Sequence, residues 1–349
     1  MMLLRRQPLS CRRLAVLLVL TLVGSTVTAA GVEYRLTDPA LEVVPIDSSP
    51  RESFLSMRAD AAGRLFVGGR EAIFVYEPDD KSTSGGLGKR QEIFRFPADS
   101  WVYDLEIRGN DLYAMTNRAL YLLPGAVTKR NGVQARRLVW GHPDYHPHQC
   151  FHGLAWGPDG YLYLSLGDML VFYGDFRRPD HWGHWNFQSQ PPGTSVPYTG
   201  VGGFMRCRPD GTDLQIIAGG TRNSCGLVFD RHWNLFSNDN DHEGLPTHFV
   251  PGRLLHVTSH ADFGWPRGWM PELTPDRADL LQTMYSGMGR SVPVGQSYYD
   301  EDFLAKPYRN NLLVARWGNR TLVRYPLRSQ GASFSVSYTH LTLPTILLV

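Results

Sequence analysis

Five segments of this chain repeat one arrangement of hydrophobic and polar positions. In each segment an apolar residue is followed by a short turn of Gly, Asp or Asn, and then by alternating apolar and polar positions. The leucines at the matched position are Leu65, Leu112, Leu162, Leu235 and Leu312. The first three are spaced by about the length of one propeller blade, which is some 40 to 50 residues. The pattern predicts a β-propeller with a β-hairpin in each repeat.

The turns and the intervals between the repeats refine this prediction. Gly109-Asn110-Asp111 and Pro158-Asp159-Gly160 supply residues that adopt the positive φ of hairpin turns. The intervals 171–200 and 266–300 are rich in Gly, Pro, Ser and aromatic residues and alternate little, which predicts loops. Loops of this length are usually functional. No segment with helical periodicity and caps competes after residue 31.

The first 30 residues have the pattern of a secretory signal peptide. A basic region precedes the apolar stretch Leu14–Val23, and small residues around Ala29 and Ala30 form a cleavage site. The apolar stretch is shorter than the roughly 20 residues that span a bilayer. We therefore expect an exported protein, periplasmic or extracellular, with no transmembrane span beyond the signal peptide.

The other end of the chain departs from the blade pattern. Residues 31–336 form the predicted propeller domain, whereas residues 337–349 contain neither the repeat nor a closing strand. This tail resembles a translated cloning or sequencing adapter, and the alternative is a genuine exposed tail. Because five repeats are present where we expect six, we predict a six-bladed propeller that is truncated in its last blade. The truncated edge would expose unpaired strands.

Charge and cysteine content exclude some classes of protein. The formal net charge is +2 without a basic run, which gives no indication of nucleic-acid binding. Cys150, Cys207 and Cys225 remain after removal of the signal peptide, so at least one thiol is free and one disulfide is possible.

Three polar clusters flank the predicted strands, and propellers place their functional residues on such loops. The first runs from His142 to His152 and leads into a strand that is followed by Asp168. A histidine there can act as a general base, bind a metal, or serve only as a structural hydrogen-bonding centre. The spacing fits no standard zinc motif.

The second cluster contains Arg222 and Asn223 directly before a strand. An arginine at this place can bind a carboxylate in a bidentate manner, and the alternative is a salt bridge between blades. The third cluster, 238–244, is dense in oxygen ligands, but Val250 stands where an EF-hand would need its bidentate Glu. A site for a hard cation and a simple Asx-rich turn both remain open.

The order of these motifs resembles one known family. Gly157-Pro-Asp-Gly160, Leu166-Gly-Asp168, Gly220-Thr-Arg-Asn-Ser-Cys-Gly-Leu227, the acidic turn at 239–241 and Phe263-Gly-Trp-Pro266 occur as in soluble glucose and sorbosone dehydrogenases that depend on pyrroloquinoline quinone (PQQ). The chain looks most similar to exported propellers of the planctomycete type, known as membrane-bound dehydrogenase domain proteins and often fused to a cytochrome domain.

The resemblance implies PQQ and Ca²⁺ as cofactors, a sugar-like substrate and a cytochrome as a possible electron acceptor. It implies that a histidine acts as the general base and that Asp168 aids it. The family's histidine aligns with Gln149, so His148 is the first substitute and His152 the second. Arg222 and Asn223 match the residues that contact the quinone. The remaining implied positions are Arg316 and Arg320 for the quinone carboxylates, and Asn240, Asp241 and His242 for calcium.

Two other functions compete with this one. A calcium-dependent lactonase would use a similar axial metal without a quinone. A non-catalytic propeller could bind carbohydrate or protein through the aromatic loop 173–186. The pair Arg222 and Asn223 separates these hypotheses, because only a quinone enzyme needs a clamp for a quinone.

Overall fold

The computed structural model describes residues 2–6, 16–18, 35–36, 41–47, 52–82, 86–141, 150–168, 185–189, 194–198, 201–240, 252–265, 284–340 and 342–343. The first strands are β1 (Met2–Arg6), β2 (Val16–Leu18), β3 (Arg35–Leu36) and β4 (Leu41–Pro45). Strands β2, β1 and β4 form one small antiparallel sheet. The signal-peptide prediction for residues 1–30 is not tested by this pairing and stays a prediction.

Five larger antiparallel sheets follow, which we number blades 1 to 5. Three contain four strands each, and the sheets of blades 2 and 5 contain six and five because further strands pair at them. Blade 1 contains β5 (Phe54–Ala59), β6 (Leu65–Gly69), β7 (Ala72–Pro78) and β8 (Leu87–Arg95). Blade 2 contains β9 (Val102–Arg108), β10 (Asp111–Thr116), β11 (Ala119–Leu123) and β12 (Arg136–Trp140).

Blades 3 and 4 each contain a long interval between two of their strands, after β14 in blade 3 and after β21 in blade 4. Blade 3 contains β13 (Phe151–Trp156), β14 (Leu162–Leu166), β17 (Gly202–Cys207) and β18 (Gln215–Thr221). Strands β15 (Trp185–Ser189) and β16 (Thr194–Tyr198) extend the edge of blade 2 instead. Blade 4 contains β19 (Ser224–Phe229), β20 (Leu235–Asp239), β21 (Gly252–Val257) and β22 (Tyr285–Gly289).

Blade 5 contains β23 (Pro293–Tyr299), β24 (Asn311–Arg316), β25 (Thr321–Gln330) and β26 (Ser333–Val336). Two three-residue 3₁₀ turns, Lys306–Tyr308 and Trp317–Asn319, flank β24. In the tail, β27 (Thr339–His340) pairs with β25, and β28 (Thr342–Leu343) pairs with β3. The sequence pattern predicted no strand in this tail. Within the described residues, no helix is long and apolar enough to cross a membrane.

The repeat predicted from the sequence corresponds to one strand position in every blade. Each matched leucine is the first or second residue of its blade's second strand. All five side chains are at most 5% exposed. Gly109 and Gly160 have the positive φ expected of the turns before these strands. The all-β prediction is confirmed and the propeller is supported, whereas the sixth blade stays a prediction.

The core lies between successive blades rather than inside any one sheet. Buried Phe66 and Ile73 of blade 1 pack with Leu105 and Leu112 of blade 2. The interfaces of blades 2 and 3, 3 and 4, and 4 and 5 are built in the same way. Because apolar burial is the main favourable contribution to folding, each blade depends on its neighbours for stability.

The segment 41–47 contacts both the first and the last of these blades. Leu41 packs with Leu313 and Leu322 of blade 5, and Ile46 packs against the buried side chains of blade 1. The Tyr76 hydroxyl of blade 1 donates a hydrogen bond of 2.6 Å to the carboxylate of Asp47. Two blades that are far apart in sequence therefore share one short segment.

In every blade, the start of the first strand pairs with the end of the second strand. These pairs are Phe54 with Gly69, Val102 with Thr116, Phe151 with Leu166, Ser224 with Asp239, and Pro293 with Arg316. We call this end of the sheets the upper end.

The prediction of loops for 171–200 and 266–300 was wrong where the structure has strands. Residues 185–198 contain the hairpin β15–β16, and residues 285–299 contain β22 and β23. Strand β23 begins blade 5 and combines buried, intermediate and exposed positions without alternation. Packing against its neighbours rather than its own hydrophobic pattern makes this segment a strand.

Candidate functional site

The upper ends of blades 3 and 4 bring together four of the predicted site residues. Strand β14 ends at Leu166, and Gly167 then forms an isolated bridge with Asn223. The backbone N–H of Asp168 donates a 2.8 Å hydrogen bond to the carbonyl of Arg222. Asp168 is completely buried. The blade 3 carboxylate and the blade 4 pair are therefore joined through their backbones.

His152 reaches the same place from the first strand of blade 3. Its Nε2 lies 2.8 Å from Oδ1 of Asn223. Because that oxygen can only accept, Nε2 carries a proton, and a neutral His152 has its lone pair on Nδ1. The ring is 4% exposed and stands edge-on to Tyr103, with the ring centroids 4.8 Å apart. Asn223 thus sets both the orientation and the tautomer of this histidine.

A glycine next to His152 allows the first strands of blades 3 and 4 to approach closely. A Cβ at Gly153 would lie 2.8 Å from the carbonyl oxygen of Cys225 and 3.0 Å from the backbone nitrogen of Leu227. Backbone atoms cannot move aside as a side chain can. A larger residue at this position would separate His152 from Asn223.

The Arg222–Asn223 segment is held by the carboxylate that ends the second strand of blade 4. Oδ1 of Asp239 accepts hydrogen bonds from the backbone N–H of Asn223 at 2.7 Å and of Arg222 at 3.1 Å. Oδ2 of Asp239 accepts from Nε and a terminal nitrogen of Arg253, at 3.0 and 2.8 Å. Arg253 is thus the counter-ion of Asp239.

A second segment reaches the site after the third strand of blade 4 and forms a bridge with Gly219 of blade 3. The indole Nε1–H of Trp265 donates a hydrogen bond to Oδ2 of Asp168. The backbone of Trp265 is fixed in turn, because its N–H donates to the carbonyl of Gly220 at 2.8 Å. Gly220 has φ +79°, and a Cβ there would lie 2.7 Å from the backbone nitrogen of Phe263. Only glycine allows this close approach.

The cysteines near the site are thiols rather than thiolates. Burial raises the pKa of Cys225 to about 12, helped by the charge of Asp239, and burial raises the pKa of Cys150 well above its ordinary value. All three cysteines of the described chain are free, so the disulfide allowed by the sequence is not formed. A protonated thiol is a poor nucleophile, which argues against cysteine chemistry here.

The calcium prediction lies only partly within the described residues. Asn240 follows β20, is 5% exposed, and its Oδ1 is buried without a hydrogen bond in the described structure. Such an oxygen suits a hard cation. Asp241 and His242 lie outside the described residues, as does His148. No group of three or more His, Cys, Asp or Glu side chains in the described part of the chain could hold a metal ion.

The two late arginines occupy the upper end of blade 5. Arg316 ends β24, is mostly buried, and donates a 2.7 Å hydrogen bond to the carbonyl of Met288. Arg320 follows a 3₁₀ turn with a left-handed φ of 52°. No hydrogen bond or ion pair connects either arginine to the carboxylate of Asp168 among the contacts of the described residues. Arg316 lies at the position in blade 5 that Asp239 occupies in blade 4.

Two groups of residues at this site were not singled out from the sequence. Arg253 lies in a run of apolar residues, and Trp265 was noted only as part of a motif. Trp101 and Tyr103 form an aromatic row beside His152, with their ring centroids 6.3 Å apart, and Arg70 stacks on Trp101 at 4.8 Å. No sequence pattern indicated this aromatic row, because it lies beside His152 only through the packing of blade 2 against blade 3.

Comparison with known proteins shows the fold. The chain is similar to the PQQ-bound form of aldose sugar dehydrogenase from Streptomyces coelicolor, with 15% identity, a TM-score of 0.59, and coverage of 88% of this chain and 84% of that chain. It is similar to the holo form of the pyranose dehydrogenase PQQ domain from Coprinopsis cinerea, with 14% identity, a TM-score of 0.57, and coverage of 83% and 82%.

A further similar structure is a calcium structure of a Trichoderma reesei carbohydrate-active enzyme of family AA12. The identity is 15%, the TM-score is 0.57, and the match covers 91% of this chain and 87% of that chain. No protein-family model matches the sequence, and no curated protein matches it. At such low identity these similarities establish architecture, and the site must be argued from its own residues.

Proposed function

We propose that the chain is an exported, quinone-dependent dehydrogenase that oxidises a sugar or related hydroxyl compound with PQQ and Ca²⁺. One observation supports this most strongly. His152, Asp168, Arg222 and Asn223 come from two blades and meet at one buried upper end, linked by two hydrogen bonds of 2.8 Å. The similarity in fold to PQQ-bound sugar dehydrogenases supports the same proposal.

The residues at this end fit a polyanionic quinone. Arg253 is the counter-ion of Asp239, and Arg222 adds a further positive charge at this end. The guanidinium of Arg222 and the amide of Asn223 would hold the quinone oxygens. For calcium, the buried Oδ1 of Asn240 is a fitting ligand, and Asp241 and His242 are proposed beside it.

Bound PQQ would supply the two-electron acceptor for the hydride that leaves the substrate carbon. The protein must then take the hydroxyl proton. Nδ1 of His152 can accept it, because the contact with Asn223 keeps the other ring proton on Nε2. His148 is the other proposed base. The negative charge of Asp168 would stabilise the imidazolium that forms when the base accepts this proton.

The aromatic row beside the base suits a carbohydrate. Trp101 and Tyr103 offer apolar ring faces with polar edges, which is the kind of surface that sugars stack on. Burial raises the pKa of Tyr103 well above its ordinary value, so its hydroxyl stays protonated. We place the substrate next to this row, and the electrons would pass onward to a cytochrome.

Titration of the purified full chain with PQQ, with and without Ca²⁺, tests the proposal. We expect saturable quinone binding by absorbance, weakened by a calcium chelator, and dye reduction with one or more sugars. Replacement of Arg222 by Ala should weaken PQQ binding at least tenfold, which is roughly the effect of losing one pair of charge-assisted hydrogen bonds. Arg206→Ala is the matched control, because this arginine pairs with Asp159 at the surface, away from the site.

The alternatives give different results in the same experiment. Absence of PQQ binding in the presence of calcium would refute the redox function. Binding of PQQ without turnover would indicate a propeller that only binds, and calcium-dependent hydrolysis of lactones without PQQ would indicate a lactonase. Export is tested separately by fusing residues 1–30 to a reporter that is active only outside the cytoplasm.

A further inference from the structure

One buried arginine holds three segments of the site together. Arg253 is the second residue of β21 and is 2% exposed. Its guanidinium donates two hydrogen bonds to Asp239, one of 2.7 Å to the carbonyl of Phe263 and one of 3.2 Å to the carbonyl of Gly220. These partners belong to three separate stretches of the chain.

Each of the three stretches leads directly to a residue of the proposed site. Asp239 accepts from the backbone of Arg222 and Asn223. Gly220 lies two residues before Arg222, and Phe263 lies two residues before Trp265. The described hydrogen bonds then form a ring. The Trp265 indole donates to the carboxylate of Asp168, and the backbone N–H of Asp168 donates to the carbonyl of Arg222.

Stability alone is a poor explanation for such an arrangement. Removing two charges from water is unfavourable, and well-packed apolar residues are often at least as stable as a buried ion pair. What a guanidinium adds is geometry. Its planar fork fixes the direction of several hydrogen bonds at once, and lysine cannot reproduce that arrangement.

We infer that Arg253 is a positioning residue that sets the place of the Arg222–Asn223 pair relative to the Asp168 carboxylate. This inference rests on the proposed function. Arg253 acts through two routes, one through Asp239 to the backbone before β19, and one through Phe263 and Trp265 to Asp168. Neither route requires that Arg253 touch substrate or cofactor.

Arg253→Lys and Asp239→Asn test the inference in the full chain. Lysine keeps the charge near Asp239 but loses the bonds to Phe263 and Gly220, and asparagine keeps the size of Asp239 but loses its charge. We expect each variant to weaken PQQ binding by about tenfold or more, since small displacements of positioned groups have effects of this order. The NMR resonance of the Trp265 indole N–H, assigned with Trp265→Phe, should shift and exchange faster with solvent.

Arg58→Lys is the matched control, because Arg58 also joins two blades through carboxylates but contacts no proposed site residue in the described structure. It should leave both the PQQ affinity and the Trp265 indole unchanged. An equal loss of PQQ affinity in Arg58→Lys, or an unchanged indole and affinity in both site variants, would overturn the inference. If the wild type fails to bind PQQ but Arg253→Lys still shifts the indole, the proposed function fails and the positioning of Asp168 stands.

Discussion

Two of the arginine–carboxylate clusters in the described part of the chain join neighbouring strands but differ in their burial and in the residues around them. At the interface of blades 1 and 2, the Arg58 guanidinium lies 2.6 Å from Glu106 and its side chain is 37% exposed. In blade 4, Arg253 and Asp239 are 2% and 1% exposed. Arg58 contacts Glu106 and the carbonyl of Leu105, neither of which is a proposed site residue. Asp239 instead accepts hydrogen bonds from the backbone of Arg222 and Asn223.

The two clusters also differ in the number of hydrogen-bond donors that compensate the charge of each carboxylate. Oδ1 and Oδ2 of Asp239 accept from four groups, so its charge is fully compensated. Glu106 has fewer compensating partners, and burial raises its pKa to about 7 against the opposing charge of Arg58. A buried carboxylate is therefore either held by many donors or becomes easy to protonate. Only a carboxylate that is held by many donors can keep the neighbouring backbone groups of a binding site in fixed positions.

The largest expected effect comes from removing one partner of the fully buried pair. Asp239→Ala leaves Arg253 as an uncompensated buried charge, and such losses cost about 3 to 5 kcal/mol. Urea unfolding of the two proteins measures the change. Replacing both partners, with Arg253→Met and Asp239→Leu, should restore only part of the stability, because the amides of Arg222 and Asn223 still lack an acceptor. Full recovery would show that these amides need no carboxylate.

The cluster of blades 1 and 2 should respond to pH instead. The pKa of Glu106 in the folded protein, about 7, exceeds the ordinary glutamate value of 4.5. The folded state thus binds an extra proton between these values, so the free energy of unfolding should fall as the pH rises from about 4.5 to 7. We expect a loss on the order of 1 to 3 kcal/mol. Glu106→Gln should reduce this slope, and an unchanged slope would assign it to other groups.

The smallest expected effect belongs to an ion pair at the surface. Arg206 and Asp159 lie 2.8 Å apart, with side chains about a third exposed. Solvent and salt screen such pairs, so Arg206→Ala should change the free energy of unfolding by at most about 1 kcal/mol. Thermal unfolding at low and high salt measures it. A cost approaching that of Asp239→Ala would mean that burial is not what separates the clusters.

The sequence predicted the repeating scaffold better than the interactions that organise the site. Leu65, Leu162 and their equivalents could be found because the turn and the alternating strand are local features. Asp168, Arg222 and Asn223 could be found because they directly follow or precede such strands. Their proximity depends on the bridge between Gly167 and Asn223, which no local pattern encodes.

The features that were missed depend on contacts between distant segments. Arg253 lies in a strand whose other residues are mostly apolar, and its role follows only from the approach of Phe263 and Gly220. The sequence predicts a loop where strand β23 lies, because the neighbours of this strand rather than its own sequence determine its conformation. Local periodicity contains no information about either contact.

The segment 41–47 has a consequence for the order of folding. Leu41 packs with residues of blade 5, so this contact joins positions separated by most of the described chain. Bringing such distant positions together costs loop-closure entropy before any contact compensates for it, and it becomes cheaper once the intervening blades have formed. We expect the segment to dock last. Proteolysis during refolding should therefore cut near residue 41 long after blades 2 to 4 have become resistant.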